Sequence, residues 1–254
     1  MPDEFHRATV AELDALVAET HQLWDEEWVG FSWRNYTHEH MRRVRGLAGT
    51  IAGVEGADPR VVTLAATLHD VTKSYDGEIL TGPDGKRVLD ENGFWRNATL
   101  APARSNSVTA IYDHLGLAGS VHHVSGGAVA RVLLEGRGLP GGLIDGVEQA
   151  IVEHLVATPE SSVAGKCLYD ADTIDANVGM PAFYRNIQIS LRGQDAQFAA
   201  RGESFREWLH ANLGTFLDSY LREKIPAWID GKARDFVPKL MTSTGRAVAS
   251  ERLD

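Results

Sequence analysis

Apolar residues recur every three or four positions along most of this 254-residue chain, the spacing of helices that bury one face. Strict alternation, the mark of a half-buried strand, is nearly absent, so the chain reads as all-α. An opening helix is expected around Thr9, whose spacing to Glu12 matches a capping box, with Val10, Leu13, Leu16 and Val17 as its apolar residues. A second is expected from about Asn35, with Val44, Leu47, Ala48 and Ile51 on one stripe and Gly53 and Gly56 at its end. Asp58 before Pro59 reads as the cap and first-turn proline of a third helix through Val61, Leu64, Ala65 and Leu68. Further helices are expected near 121–134, 143–155 and 163–174. Two or three more are expected between Ser204 and Arg252, interrupted by Pro226 and Pro238.

The stretch from Ser74 to about Ser107 breaks the helical spacing. EILTGPDGKRVL reads as a short hairpin around Pro83-Asp84-Gly85, followed by irregular chain carrying Phe94, Trp95, Arg96 and Arg104. An insert of this length in a helical domain is either a lid or binding loop or a solvated hairpin without a role. The residues leave both readings open.

Composition narrows the partners. The 35 acidic against 25 basic residues leave a formal charge of -10, which repels nucleic-acid backbone and anionic lipid, so neither a nucleic-acid polymer nor a membrane is an expected partner. A small anionic substrate remains compatible if a metal, Lys and Arg reverse the field within one cleft. Cys167, the single cysteine, excludes an internal disulfide and any multi-cysteine zinc site. The opening MPDEFHR lacks the apolar core of an export signal, and no uninterrupted apolar run is long enough to cross a bilayer; a cytoplasmic location is expected.

The residues with chemistry lie on the apolar stripes. His40 shares a face with Val44, Leu47, Ala48 and Ile51; His69 ends a stripe with Val62, Ala65 and Ala66; His154 follows Val147, Ala150 and Ile151. One such histidine is usually a hydrogen-bonded core residue. Several, each on a different helix, are costly to bury without partners, and a shared metal would satisfy them together. Asp70 follows His69, and Asp172 sits in YDADTIDA, where Asp170 and Asp175 are expected to have surface or capping roles. Buried carboxylates must be paired or coordinated. Lys73, four residues after His69 and three after Asp70, would share their face in a continuing helix and could bind phosphate oxygens. Arg96, Arg104 and Arg185 are further candidate phosphate contacts or ordinary surface arginines.

HMRRV at 40–44, LHDVTK at 68–73, HVSGGAVARVLL at 123–134, AIVEHL at 150–155 and DAD at 170–172 resemble, in order, the ligand motifs of the HD superfamily of metal-dependent phosphohydrolases. The resemblance spans about residues 35–179. It implies a single HD-type helical bundle over 1–254, with a core at 35–179, a hairpin-like insert at 74–107 and a C-terminal helical extension at 180–254. It further implies that His40, His69, Asp70 and Asp172 form the basic metal site, that Asp70 bridges when two metals are present, and that His123 and His154 are the added ligands of two-metal members. Gly127-Ala128 at the expected offset favours His123 over His122, although both positions could lie on an apolar stripe. Asp70 and Lys73 are the implied catalytic residues. The cofactor is one or two divalent ions, and a nitrogen-and-oxygen ligand set does not discriminate among Mn, Fe, Co, Ni and Zn, or exclude Mg.

The activity implied is hydrolysis of a phosphomonoester or phosphodiester in a small phosphorylated metabolite or nucleotide. The alternative is a mixed-valent di-iron oxygenase, which uses the same ligands on the same fold. Two departures stand out: a longer interval between the His-Asp pair and His123, and Thr173 where relatives often have Arg. The aromatics Trp208, Phe216, Tyr220, Trp228 and Phe236 read as packing residues or as the face of a homodimer.

Overall fold

The computed structural model describes residues 4–26, 28–29 and 32–253. Met1, Pro2 and Asp3, which open the segment read as lacking an export signal, lie outside the described residues. Among those residues no helix is long and apolar enough to cross a membrane. The chain divides into two compact units, one running to Asp172 and the other from Thr173.

The first unit is helical apart from two small antiparallel pairings. Helix α1 (Glu4–His21) leads to the paired β1 (Trp28–Val29) and β2 (Ser32–Trp33), then α2 (Arg34–Glu55) and α3 (Pro59–Leu68). A 3-10 turn (Lys73–Tyr75) opens the insert, in which β3 (Asp76–Ile79) pairs with β4 (Asn97–Thr99). Helices α4 (Ser107–His114), α5 (His122–Glu135) and α6 (Gly141–Glu153) follow, then α7 (Val163–Asn177), which belongs to this unit as far as Asp172. The architecture is all-α, as the periodicity predicts.

The stripes face the core. Val44, Ala48 and Ile51 of α2 are fully buried, as are Leu64, Ala65 and Leu68 of α3 and Val147, Ala150 and Ile151 of α6. Asp58 caps α3 by accepting a 2.8 Å hydrogen bond from the Arg60 backbone N–H, with Pro59 at the first helical position. Helix α3 packs against α1, α2 and α6, and α5 lies along α6. Gly126 lets α5 pass close to the end of α3: a Cβ there would sit 3.1 Å from the His69 carbonyl oxygen.

Several local expectations change. The Thr9–Glu12 capping box falls inside α1, which already runs from Glu4. Gly53 lies within α2, and only Gly56, at φ +77°, marks its end. The stretch read as irregular up to Ser107 gives way directly to α4, opened by a capping box between Asn106 and Thr109. The expected hairpin turn is present: Gly82 N–H donates to the Lys86 carbonyl at 2.8 Å, and Gly85 adopts φ +75°. The hairpin leans on a third pass of chain through hydrogen bonds from Leu80 to Arg96 and from Arg96 to Val88.

The second unit holds α8 (Met180–Ala199), α9 (Phe205–Ser219), α10 (Ile225–Phe236) and α11 (Ser243–Leu253). Pro226 does not interrupt a helix; it occupies the first turn of α10, just after a π turn at Tyr220–Lys224. Trp208 packs against Phe198 and Phe205 at ring separations of 5.5 and 5.9 Å, and Phe216 against Tyr220 at 4.7 Å. These aromatics serve packing within the unit.

Candidate metal centre

Side chains from α2, α5, the C-terminal end of α6, α7 and the run from His69 to Asp76 converge on the Asp70 carboxylate. Asp70 is fully buried. Its Oδ2 faces His40 Nε2 of α2 at 3.7 Å, His69 Nε2 at 3.6 Å and Lys73 Nζ at 2.6 Å. Its Oδ1 faces His122 Nε2 at 3.2 Å and His154 Nε2 at 3.7 Å. Asp172 of α7 closes the first side: its Oδ1 lies 2.9 Å from His40 Nε2 and 3.9 Å from His69 Nε2. Two groups of donor atoms close enough to hold a cation result, His40–His69–Asp70 and Asp70–His122–His154, with Asp70 common to both.

Local structure aims the rings. His69 and His154 occupy equivalent places, each capping the C-terminus of a helix, α3 and α6. Each donates from Nδ1 to the carbonyl three residues back, His69 to Ala66 at 3.0 Å and His154 to Ile151 at 2.5 Å. A carbonyl can only accept, so Nδ1 carries the proton and Nε2 keeps its lone pair for the centre. His122 is fixed in the same sense by the Asp76 carboxylate on its Nδ1. Holding the distal nitrogen so that the other can coordinate is how metal-ligating histidines are commonly oriented.

The polar accounting fits a cation. Nε2 of His69, His122 and His154 and Oδ1 of Asp70 are buried with no hydrogen-bond partner. Four orphaned atoms converging on one volume are very unfavourable unless something else satisfies them. Their chemistry, imidazole lone pairs and a carboxylate oxygen, suits a divalent cation.

The electrostatics run the same way. Burial holds the His69 ring down at about 3, against a partial offset from the Asp70 and Asp172 charges, so it stays neutral. Burial alone would raise the Asp70 carboxyl, but the Lys73 ammonium beside it outweighs burial and holds the group well below the usual carboxylate range. Asp172 is likewise kept ionised against its burial by the hydrogen bond and charge of His40.

His40, His69, Asp70, Lys73, His154 and Asp172 thus lie together around one carboxylate. His123 does not join them. The structure brings His122 into the group instead, because the start of α5 turns that ring onto Asp70 while Asp76 grips its far nitrogen. His123 is buried against the insert, with Phe94 edge-on at 4.9 Å and Trp95 at 5.6 Å, and neither of its ring nitrogens has a partner. Lys73 reaches Asp70 from a 3-10 turn, not from a continuing helix. Asp76 was not apparent from the sequence; its role depends on a partner 46 residues away. Arg96 and Arg104 are used locally, binding the Ala118 and Gln22 carbonyls, and Arg185 lies in the second unit.

Residues 37–118 match the family model for the HD domain. The match to the HD domain covers about a third of the chain. The matched segment contains His40, His69, Asp70 and Lys73, while His122, His154 and Asp172 follow its end. No curated protein is similar enough to this chain to count as a match. Among solved structures it is similar to a predicted HD superfamily hydrolase from an uncultured Thermotogales bacterium, at 24% identity over 70% of this chain and 74% of that one, with a TM-score of 0.46. It is also similar to Bacillus subtilis YpgQ in complex with ADP, at 18% identity over 98% and 89% of the two chains, with a TM-score of 0.49. The Lin1889 protein of Listeria innocua matches at 16% identity over 96% and 89%, with a TM-score of 0.44.

Proposed function

We propose that this protein is a metal-dependent phosphohydrolase that cleaves a phosphomonoester or phosphodiester of a small metabolite or nucleotide. The reading is carried by one observation: a single buried carboxylate, Asp70, is shared between two histidine groups whose Nε2 atoms mostly lack protein partners. His40, His69, Asp70 and Asp172 would hold one divalent cation, and Asp70, His122 and His154 a second. Cations held there would supply Lewis acidity toward a phosphoryl oxygen and lower the pKa of water.

The chain's own residues do the rest. Asp70 spans both positions and orients the attacking water. The fixed Nδ1–H bonds of His69 and His154 keep their rings from rotating as charge builds. Lys73 is the one cation among these residues, and its side chain keeps 20% of its surface exposed. Its ammonium is placed to leave Asp70 Oδ2 for a phosphoryl oxygen and to balance the charge that develops there.

The test is metal analysis of gently purified protein, followed by an activity screen over phosphomonoesters, phosphodiesters and nucleotides with Mn, Fe, Co, Ni, Zn and Mg. The expected result is phosphate release that a chelator abolishes and added cation restores. Failure with every cation would overturn the proposal, as would oxygen-dependent turnover with tightly held iron.

A further inference from the structure

Helix α1 lies wholly before residue 37, where the family match begins, yet its last residue reaches the turn that carries the lysine beside the centre. His21 is fully buried at the C-terminus of α1, and its Nδ1 shares a 2.9 Å hydrogen bond with the hydroxyl of Ser74. Ser74 is the residue after Lys73, in the same three-residue turn. Each residue of the run from Thr72 to Asp76 is tied to a different part of the unit. Thr72 bonds Ser125 at 2.8 Å, Lys73 bonds Asp70, Tyr75 stacks on Tyr112 at 3.7 Å and meets Trp24 edge-on at 4.9 Å, and Asp76 holds His122. For Ser74, the tie is to His21.

The segment around His21 is itself anchored. The Asn106 amide donates to Thr20 at 3.0 Å, the Trp24 indole N–H donates to the Leu100 carbonyl at 3.2 Å, and the Ala103 N–H donates to the Leu23 carbonyl at 2.8 Å. The end of α1 is thus fastened to the far end of the insert, and His21 transmits that rigidity to the turn. A 3-10 turn of three residues has poor internal hydrogen bonding and would otherwise hold its side chains loosely. Burial keeps the His21 ring at about 4, so it stays neutral and does not repel the neighbouring ammonium.

We infer that His21 is a positioning residue of the centre: through Ser74 it fixes the turn that presents Lys73 to Asp70, which makes α1 part of the working site. The function of Lys73 in this inference rests on the phosphohydrolase reading, but its placement does not.

The experiment therefore measures placement directly. The 254-residue chain is labelled with a lysine-acetylating reagent, and the rate at Lys73 is compared with that at the other lysines by mass spectrometry. His21→Ala and Ser74→Ala are each expected to speed Lys73 labelling several-fold, with other lysines, metal content and helical signal unchanged. Turnover should fall about tenfold with little change in KM. His21→Asn, whose amide nitrogen sits near the place of Nδ1, should restore slow labelling, whereas His21→Gln should not. Unchanged Lys73 labelling in Ser74→Ala, which removes only a hydroxyl and does not threaten the fold, would overturn the inference. So would faster labelling at every lysine together with a lowered Tm, since His21 would then merely support the fold. Altered labelling in a protein that releases no phosphate would uphold the inference and defeat only the hydrolase reading.

Discussion

On the Oδ2 side of Asp70 the protein's own charges already meet: Lys73 pairs with Asp70, and Asp172 pairs with His40. On the Oδ1 side two imidazoles converge with their Nε2 atoms lacking hydrogen-bond partners, and Asp76 pairs with the far nitrogen of His122. The first side is held together by internal partners. The second is electrostatically unfinished, because among the described residues none hydrogen-bonds its converging lone pairs. Two carboxylates against one also mean that a cation on the Oδ2 side meets more negative charge, which Lys73 partly offsets. The difference separates a half-site that keeps its shape by itself from one that depends more on what it binds.

The shared carboxylate is where that comparison breaks most completely. Asp70→Asn should remove bound cation from both sides and lower turnover by more than about a hundredfold, with the helical circular dichroism signal retained. Metal analysis that still found one cation would mean that the carboxylate is not common to both groups.

A smaller change should isolate the second side. His122→Ala is expected to lose one cation and keep the other, while His123→Ala keeps the stoichiometry of the unmodified protein. Asp76→Asn, which loosens the grip on His122, should weaken only the Oδ1-side cation, by about 10- to 100-fold in a metal titration. Loss of a cation from His123→Ala but not from His122→Ala would reverse the assignment that the geometry makes.

The smallest effect is in acid. His69 beside the centre and His123 against the insert are both held by burial at about 3, below their ordinary value of 6.5. Between those values the unfolded chain binds protons that the folded chain refuses, so stability is lost as pH falls from about 6.5. The loss approaches 1.4 kcal/mol per pH unit for each such group, about the limit set by linkage. Asp70 and Asp172, held low in the fold, add a further loss below the normal carboxylate range. Urea midpoints of metal-stripped protein at pH 7, 6 and 5 measure this. Replacing His69 or His123 singly should flatten the slope, and a slope that neither changes would show that these rings are not what acid attacks.

The candidate site residues at helix ends or on helix stripes were the legible ones. His40 follows from the spacing of Val44, Ala48 and Ile51, and His69 and His154 from similar stripes that carry each residue to the buried end of its helix. Lys73 was placed correctly relative to Asp70 but by the wrong local structure, since three residues of separation serve a 3-10 turn as well as an α-helix. The choice between His122 and His123 was not legible. Both are buried, and both lie in the first turn of α5, where one residue turns the side chain by only about 100°, so burial does not tell the two apart. Asp76 was invisible for a related reason: a carboxylate at the start of a short strand has no periodicity to mark it.

Periodic burial thus made the chain helical, set which faces turn inward, and put imidazoles and carboxylates on those faces, because each of these depends on neighbours within a turn or two. Tertiary structure alone decided which of two adjacent histidines meets Asp70, which carboxylate grips its far nitrogen, and that the end of α1 should support the lysine turn. Those outcomes depend on contacts between residues 46 to 53 positions apart, His122 with Asp76 and His21 with Ser74. Local spacing carries no record of pairings that form only when distant segments pack.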